Sequence, residues 1–595
     1  MSSRLFAVAA LACAQIALAA SPAPATNTSL NALFDREFQL ELQEFPEEAT
    51  YLGIEGYNDR LHDASAEAVA RRKAHVKAVL AELATFDPTN LSAQDRISLA
   101  MMAYNLRRQD ALNALYGELR FGAGRDGWLQ ITTASGPHSA FQSLAKATPF
   151  RNARDYDNYL KRLDALPLAI EQTTQILLAG MKSGWMPPRV AMARVPGQIA
   201  PFAAADVTAS PLYGPFNRFP PSVSLEDQKR ITDSARKVLK DRVQPALVAL
   251  QQFVETKYLP ACRDDVASSN LPGGKRYYDL MVASMTTTDL TAEQVHAIGL
   301  AEVARIRTEM DKVIASTGFK GTFAEFVQSI KSDPRFFHTS ADDMLMHYRD
   351  IAKRADAALP PLFAELPRLP YGIRPMEAYE GDNAEHYTRG ALDGSRAGYF
   401  EANTNNLQRR SKYEMEAVLL HETVPGHHIQ TARAQELKGL AQFRRTAWYT
   451  AYGEGWALYA ESLGDEMGMY GEPYSKFGQL SAEMWRACRL VVDTGLHAFG
   501  WTREQSIRYL TDNAGIAESA SIAETDRYIL SPGQALGYKI GELKIKSLRA
   551  KAQKALGDKF DIRRFHNALL DDGPLPLTLL EARIDEWIET EKAKR

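Results

Sequence analysis

Apolar residues recur every three or four positions along most of the chain, which is the spacing of helices that bury one face. The residues TAEQ at 291–294 predict a capping box, and a helix is expected to follow it. Its apolar positions are Val295, Ile298, Ile306, Met310 and Val313. Residues 225–259 show the same spacing, interrupted at Pro245, and residues 30 to 178 are similar. Alternating strand patterns are scarce, so the fold is predicted to be mainly α.

Between residues 359 and 406 the pattern changes to clustered prolines, glycines and acidic residues, which indicate loops. Within this stretch, GYFEAN at 398–403 predicts one short strand. The stretch is either a long surface connection or an ordered loop that lines an active site. In the second case, the strand could pair with an extended peptide by strand addition.

The first residues have the features of an export signal. Arg4 precedes an apolar run at 5–18, and Ala17-Leu18-Ala19 fits the small-x-small cleavage pattern. We therefore predict a signal peptide at 1–19 and a periplasmic or secreted protein. A lipoprotein signal around Cys13 is the weaker alternative. The mature chain has no further apolar stretch long enough to span a membrane.

Composition narrows the possible partners. The chain has 595 residues, with 45% apolar and 24% charged residues and a net charge of -3. These are values of an ordinary globular protein, and they give no basis for nucleic-acid binding. We predict one helical domain over residues 20–595, with a possible N-terminal helical subdomain at about 30–270. Cys262 and Cys488 could form a disulfide, but their spacing does not decide this. The oligomeric state is left open.

The residues HETVPGHH at 421–428 resemble a zinc hydrolase motif with altered spacing. In H-E-x-x-H the two histidines stand four residues apart on one helix face. Here that position is Pro425, which cannot bind a metal. On a straight helix, His427 would point ~120° away from His421, and His428 would lie ~10 Å along the axis. A widened, bulged or broken turn at the proline could return His427 to the metal, with His428 as the reserve ligand or a hydrogen-bond donor to substrate.

A third ligand is expected from the later segment GEGW at 453–456. Two histidines and Glu454 would leave one coordination position open, as in catalytic zinc sites. Glu422 would take a proton from water, and Glu461 would orient a histidine. The predicted site, within residues 411–465, therefore binds one Zn²⁺ ion. Taken singly, each of these residues could equally be a surface ion pair or part of a loop.

Residues 421–428 with Gln430, together with GEGWA at 453–457, resemble the bacterial family called domain of unknown function eight-eight-five. GLAEV at 299–303 and PGQAL at 532–536 extend this resemblance. Members of that family are viewed as zinc metallopeptidases. The resemblance implies a large helical, metallopeptidase-like domain with a central cleft and at most a small β-element. Gly426-His427 is also similar to the Gly-His that ends the motif in more distant helical peptidases, which favours His427.

The same resemblance implies a downstream group that stabilises the oxyanion. Tyr538 is the first candidate and His497 the second. Arg489 and Lys539 could bind a substrate carboxylate, although a solvated helix face would explain them equally well.

These observations predict an exported zinc-dependent peptidase that hydrolyses short peptides. Two alternatives are kept. The chain could be a metal-dependent hydrolase of another bond, such as an ester or a cell-wall amide. It could also be a non-catalytic extracytoplasmic binding protein on the same scaffold.

Overall fold

The computed structural model describes residues 27–376, 384–392, 394 and 396–594. The predicted signal peptide at 1–19, and Cys13 with it, lie outside these ranges. Helix accounts for 69% of the structure and strand for 3%, which confirms the prediction of a mainly α fold with a small β-element. Among the described ranges, no helix combines the length and the apolarity that crossing a bilayer requires.

The N-terminal part is built from helices packed on one another. Its α-helices are α1 (Thr28–Glu44), α2 (Pro46–Leu52), α3 (Ala66–Leu83), α4 (Ala93–Tyr116), α5 (Pro137–Ala147), α6 (Ala153–Ser183), α7 (Val195–Ile199), α8 (Leu225–Val238), α9 (Gln244–Phe253) and α10 (Leu259–Ala261). One hydrophobic core is formed entirely by residues between Ile131 and Cys262. That core lies inside the subdomain predicted over about residues 30–270.

The interruption predicted at Pro245 is a change of helix type rather than a break. Helix α8 continues into a π-helical turn at Leu239–Val243, and α9 follows directly with Pro245 in its first turn. A proline lacks the N–H that an α-helix interior needs, so a wide turn just before it accommodates the ring.

The C-terminal part, from residue 274 onward, is also mainly helical. Its α-helices are α11 (Gly274–Thr286), α12 (Ala292–Ser316), α13 (Phe323–Ser332), α14 (Ala341–Ala358), α15 (Met415–Glu422), α16 (His427–Glu436), α17 (Gln442–Arg445), α18 (Thr450–Leu463), α19 (Pro473–His497), α20 (Arg503–Ala514), α21 (Glu518–Leu530), α22 (Leu536–Leu556), α23 (Ile562–Leu570) and α24 (Leu577–Ala593). Helix α12 begins with the predicted capping box, in which Thr291 and Gln294 each bond the backbone of the other.

A three-stranded sheet lies between α14 and α15 in the sequence. Its strands are β1 (Tyr371–Pro375), β2 (His386–Thr388) and β3 (Gly398–Ala402), in the order β1-β3-β2. The predicted strand is confirmed as β3. It is parallel to β1 and antiparallel to β2, with Tyr399 to Glu401 paired on both sides. Strand addition to β3 is therefore wrong, because the centre of a sheet offers no free edge.

Helices α18 and α22 cross at unusually close range. A side chain at Gly455 would collide with the backbone of Gly541, and one at Gly541 would collide with the carbonyl of Ala451. Only glycines allow two helix backbones to approach this closely. This crossing brings the first turn of α22 beside Glu454 on α18.

The two cysteines left open by the sequence are free thiols. Cys262 and Cys488 are both buried, and they belong to different hydrophobic cores.

Candidate metal centre

The motif at 421–428 spans a break between two helices. Helix α15 ends at Glu422, a cis peptide joins Val424 to Pro425, and α16 begins at His427. The sequence allowed a widened, a bulged or a broken turn at the proline, and the structure has the broken one. The indole N–H of Trp456 donates to the Pro425 carbonyl over 2.9 Å, so helix α18 holds the break from the side.

The sequence SKYE at 411–414, just before α15, has the pattern of a capping box. The Ser411 hydroxyl does bond the Glu414 carboxylate, but it does not cap a backbone N–H. A single 3₁₀ turn at Lys412–Glu414 precedes the α-helix instead, so α15 begins at Met415.

Three side chains converge across this break. The Nε2 atoms of His421 and His427 each lie 3.4 Å from Oε2 of Glu454 on α18. One ligand atom from each residue lies within 4.8 Å of the others. The structure therefore brings together the three residues that the sequence singled out as metal ligands.

The two separations from Glu454 match those between ligands of a zinc ion. Ligand atoms bound at ~2.0–2.1 Å in a tetrahedron lie ~3.3–3.4 Å apart, because an edge is about 1.6 times the bond length. Both histidine-to-Glu454 distances of 3.4 Å match that edge. The same distances exceed the usual 2.7–3.2 Å of a nitrogen–oxygen hydrogen bond. A nitrogen–nitrogen–oxygen donor set also suits zinc.

A second set of side chains orients the two histidines. Nδ1 of His421 lies 2.7 Å from Oε1 of Glu461, so the ring donates there and turns Nε2 toward Glu454. Beside His427, the Gln430 amide nitrogen lies 3.1 Å from Nδ1, while Oε1 of Gln430 is buried without a partner. Turning the amide over would let that oxygen accept the Nδ1–H. Both histidines would then present a free Nε2 lone pair, as metal ligands do.

Electrostatics favour positive charge at this point. Burial opposes ionisation of Glu454, but the imidazoles of His421 and His427 beside its carboxylate outweigh burial and lower its pKa well below the ordinary value. Burial likewise disfavours the imidazolium of His421, yet Glu454 and Glu461 raise its pKa to about 9. A divalent cation would replace that proton and satisfy the same carboxylates.

Glu422 lies at the C-terminal end of α15, directly after His421, and is half-buried. Burial opposes the charged form of His421, but the Glu422 carboxylate is among the groups that raise its pKa. For Glu385, burial is the largest cause of a raised pKa, and Glu422 adds to it. Glu422 is therefore close to the three converging residues without being one of them.

Tyr538 lies in the first turn of α22, at the close crossing with α18. Burial raises the pKa of its phenol, and the Glu454 carboxylate raises it further. The guanidinium of Arg489 stacks on the Tyr538 ring, 4.3 Å from its centroid. The neutral phenol of Tyr538 thus lies near enough to Glu454 for the carboxylate charge to act on its pKa.

His428 points away from the cluster. Its Nδ1 lies 2.9 Å from the hydroxyl of Tyr387 on β2, and its ring packs against Tyr371 on β1. Burial lowers its pKa to about 4. The reserve role for His428 is therefore wrong, because this neutral side chain ties α16 to the sheet.

His497 is likewise remote from the candidate centre. Its Nδ1 accepts from the backbone N–H of Ser268, and its Nε2 donates to the carbonyl of Tyr528. Both ring nitrogens are committed inside the core, so His497 cannot stabilise an oxyanion.

The two basic candidates for substrate binding are both buried. Lys539 has no exposed side-chain surface and lies 2.6–3.0 Å from Glu302, Glu483 and Glu542. Arg489 donates to Tyr528 and Glu524. These contacts do not fit a role for Lys539 in binding a substrate carboxylate. They also do not fit the alternative that Lys539 and Arg489 lie on a solvent-exposed helix face.

Comparison with known proteins places the chain in a family. The family model for "Bacterial protein of unknown function (DUF885)" matches residues 46–584. The chain belongs to the DUF885 family. This agrees with the resemblance found in the motif at 421–428, while the family's description assigns no activity. No curated protein matches the chain.

Solved structures share the fold of this DUF885 chain. The "putative lipoprotein" from Colwellia psychrerythraea aligns with a TM-score of 0.87 and 28% identity, over 94% of this chain and 99% of that one. A "putative lipoprotein of unknown function" from Shewanella oneidensis has a TM-score of 0.66 and 18% identity, over 93% of this chain and 99% of that one. The second likeness concerns the fold alone.

Several contacts of the centre were not predicted from the sequence. Gln430 stands three residues after His427, a helical spacing that could have pointed to it. The bond from Trp456 to Pro425, by contrast, joins two distant segments, and no local pattern signals it.

Proposed function

We propose that this DUF885 protein is an exported zinc-dependent peptidase that hydrolyses short peptides. The observation that carries the proposal is the convergence of His421, His427 and Glu454, with both histidine nitrogens at the distance from Glu454 expected between two ligands of a tetrahedral zinc ion. The oriented Nε2 atoms and the unpaired oxygen of Gln430 support it.

The roles of the residues follow from their positions. Zinc bound by the three ligands would supply a Lewis acid that polarises water and the substrate carbonyl. Glu422, next to His421, would accept the proton of the attacking water and return it to the leaving amine. Tyr538 has a neutral phenol, whose pKa burial and Glu454 raise further, and it would donate a hydrogen bond to the developing oxyanion.

Export is part of the proposal. The Colwellia structure is described as a "putative lipoprotein", which agrees with the export signal in residues 1–19. The same description favours an anchored form through Cys13 more than the sequence did. Mass analysis of the N-terminus from cells would separate cleavage after Ala19 from a lipidated Cys13.

The direct test is metal content together with substrate profiling. We expect one zinc per chain by mass spectrometry of the purified protein, and cleavage of a mixed peptide library that a chelator abolishes and added zinc restores. Esters and peptidoglycan fragments serve as the comparison set. Zinc with cleavage of esters or cell-wall amides, but of no peptide, would favour the first alternative. A protein without bound metal or hydrolysis would be a binding protein.

The contact between His421 and Glu461 gives a graded prediction. Glu461→Gln keeps the shape of the side chain but weakens the acceptor of the Nδ1–H, so zinc affinity should fall by about 10–100-fold. Competition with a fluorescent chelator measures the change. Glu466→Gln, at the exposed end of the same segment, is the matched control and should bind zinc normally. Equal zinc affinity in both variants would contradict the orienting role.

A further inference from the structure

Arg108 on α4 is a half-buried cation without an acidic partner. No carboxylate of the described ranges lies within ion-pair distance, and its Nε is buried without a hydrogen-bond partner. Half-buried Arg72, by contrast, contacts Glu44 and Asp126, and half-buried Arg120 and Arg445 donate to backbone carbonyls. Desolvating a charge is costly unless a partner compensates it. Burial accordingly lowers the pKa of Arg108.

A second unpaired donor lies beside Arg108. Tyr104 is one helical turn earlier on α4, and the Arg108 guanidinium stacks 4.8 Å from the centroid of its ring. The Tyr104 hydroxyl is buried, and its oxygen interacts with the Arg108 guanidinium, but its O–H has no acceptor among the described residues. Burial raises the pKa of Tyr104 to about 12, so the phenol keeps its proton. Asp289 is exposed nearby and favours the charged form of Arg108, but it does not pair with it.

This pair of donors is connected to the candidate metal centre by aromatic contacts. The Tyr104 ring packs edge-on against Tyr449, with centroids 6.2 Å apart. Tyr449 immediately precedes α18, the helix of Glu454, and follows Trp448. Trp448 is 50% exposed, and its ring centroid lies 5.9 Å from that of His427. The neighbouring residues Trp448 and Tyr449 therefore contact both the proposed zinc ligand His427 and the Tyr104 that lies beside Arg108.

We propose that Arg108 and Tyr104 form a subsite for a carboxylate group of the substrate. A guanidinium offers a planar fork of N–H donors that matches a carboxylate, and the phenol adds a third donor. The carboxylate is either the C-terminus of a peptide or an acidic side chain. That the ligand is a peptide rests on the proposed function, whereas the preference for an anion rests on the unpaired donors.

Three peptide probes separate the two sources of the carboxylate. These are an alanine pentapeptide with a free C-terminus, its C-terminal amide, and the amide with one internal glutamate. Hydrolysis is measured as kcat/KM with the zinc-loaded protein, and affinity is measured by calorimetry with zinc-loaded Glu422→Gln. If the subsite binds a C-terminus, we expect kcat/KM and affinity to be about ten- to hundredfold higher for the free acid than for the plain amide. If it binds an acidic side chain, we expect the same advantage for the glutamate peptide.

Arg108→Met should remove this preference, so that kcat/KM and affinity for the acidic probes fall to the values for the plain amide. Arg108→Lys keeps the charge but lacks the planar pair of N–H donors, so its preference should lie between those of the wild type and Arg108→Met. Arg107→Met is the matched control, because Arg107 is the exposed neighbour on the same helix. Unfolding temperature and zinc content, measured for each variant, exclude a loss of structure as the cause.

The outcomes separate the subsite from the proposed activity. Equal use of acid and amide probes by the wild type, or a preference that survives Arg108→Met, would overturn the subsite while leaving the peptidase intact. A preference in binding that depends on Arg108, without hydrolysis of any probe, would support the subsite and count against the peptidase.

Discussion

Glu422→Gln is expected to lower kcat for peptide hydrolysis by about 10²–10⁴-fold, the usual contribution of a general base. Glutamine has nearly the same shape as glutamate but cannot accept the proton of the attacking water. Glu422 is not among the three converging residues, so zinc content should stay at one ion per chain. Mass spectrometry for the metal and steady-state kinetics on a cleaved peptide measure both quantities.

The matched control for this substitution is Glu416→Gln. Glu416 lies on the same helix α15 but faces Arg354, away from the cluster. The Glu416→Gln substitution should leave kcat and zinc content unchanged. Wild-type activity in Glu422→Gln would rule out Glu422 as the base. Loss of zinc together with activity would instead mean that Glu422 helps to hold the metal.

His427→Ala is expected to abolish zinc retention on dialysis, and with it all hydrolysis. The substitution removes one of three ligands, and its effect should exceed the 10–100-fold loss typical of outer contacts. The neighbouring His428→Gln should keep close to one zinc per chain. It should lose stability instead, by about 1–3 kcal/mol, because it disturbs a buried hydrogen bond to Tyr387.

Two measurements on the same pair of variants decide this prediction. Zinc content after dialysis reports ligation, and thermal unfolding reports the contact with the sheet. If His428→Gln lost the metal while His427→Ala kept it, the assignment of the second ligand would be reversed. Denaturant unfolding at a fixed zinc concentration keeps the stabilisation by bound metal equal in the comparison.

Much of this centre follows from local sequence. The proline removes a backbone hydrogen bond and crowds the preceding turn, which predicts a distortion between the two histidines. Helical spacing puts Glu454 and Glu461 on one face of α18, and the structure turns both toward His421. The helical fold follows from the apolar periodicity of the chain, and strand β3 was predicted from the short run GYFEAN at 398–403.

Contacts between distant segments were not predictable in this way. Lys539 is a basic residue on an amphipathic helix, a pattern that usually indicates exposure. Its partners Glu302 and Glu483 come from two other helices, and no sequence window contains all three. His497 is similar, because its hydrogen bonds to Ser268 and Tyr528 depend on the packing of remote loops. The strand-addition hypothesis was wrong because pairing on both sides of β3 is a property of the sheet.

The broken helix makes this motif unsuited to transplantation. In a continuous helix, the backbone alone fixes the separation of two histidines, so the motif can be grafted onto another helical scaffold. Here His421 and His427 belong to different helices, and Trp456 on a third helix bonds the carbonyl between them. The eight residues at 421–428 therefore do not encode a metal site by themselves. A designer who copied them would also have to copy α18 and its crossing with α22.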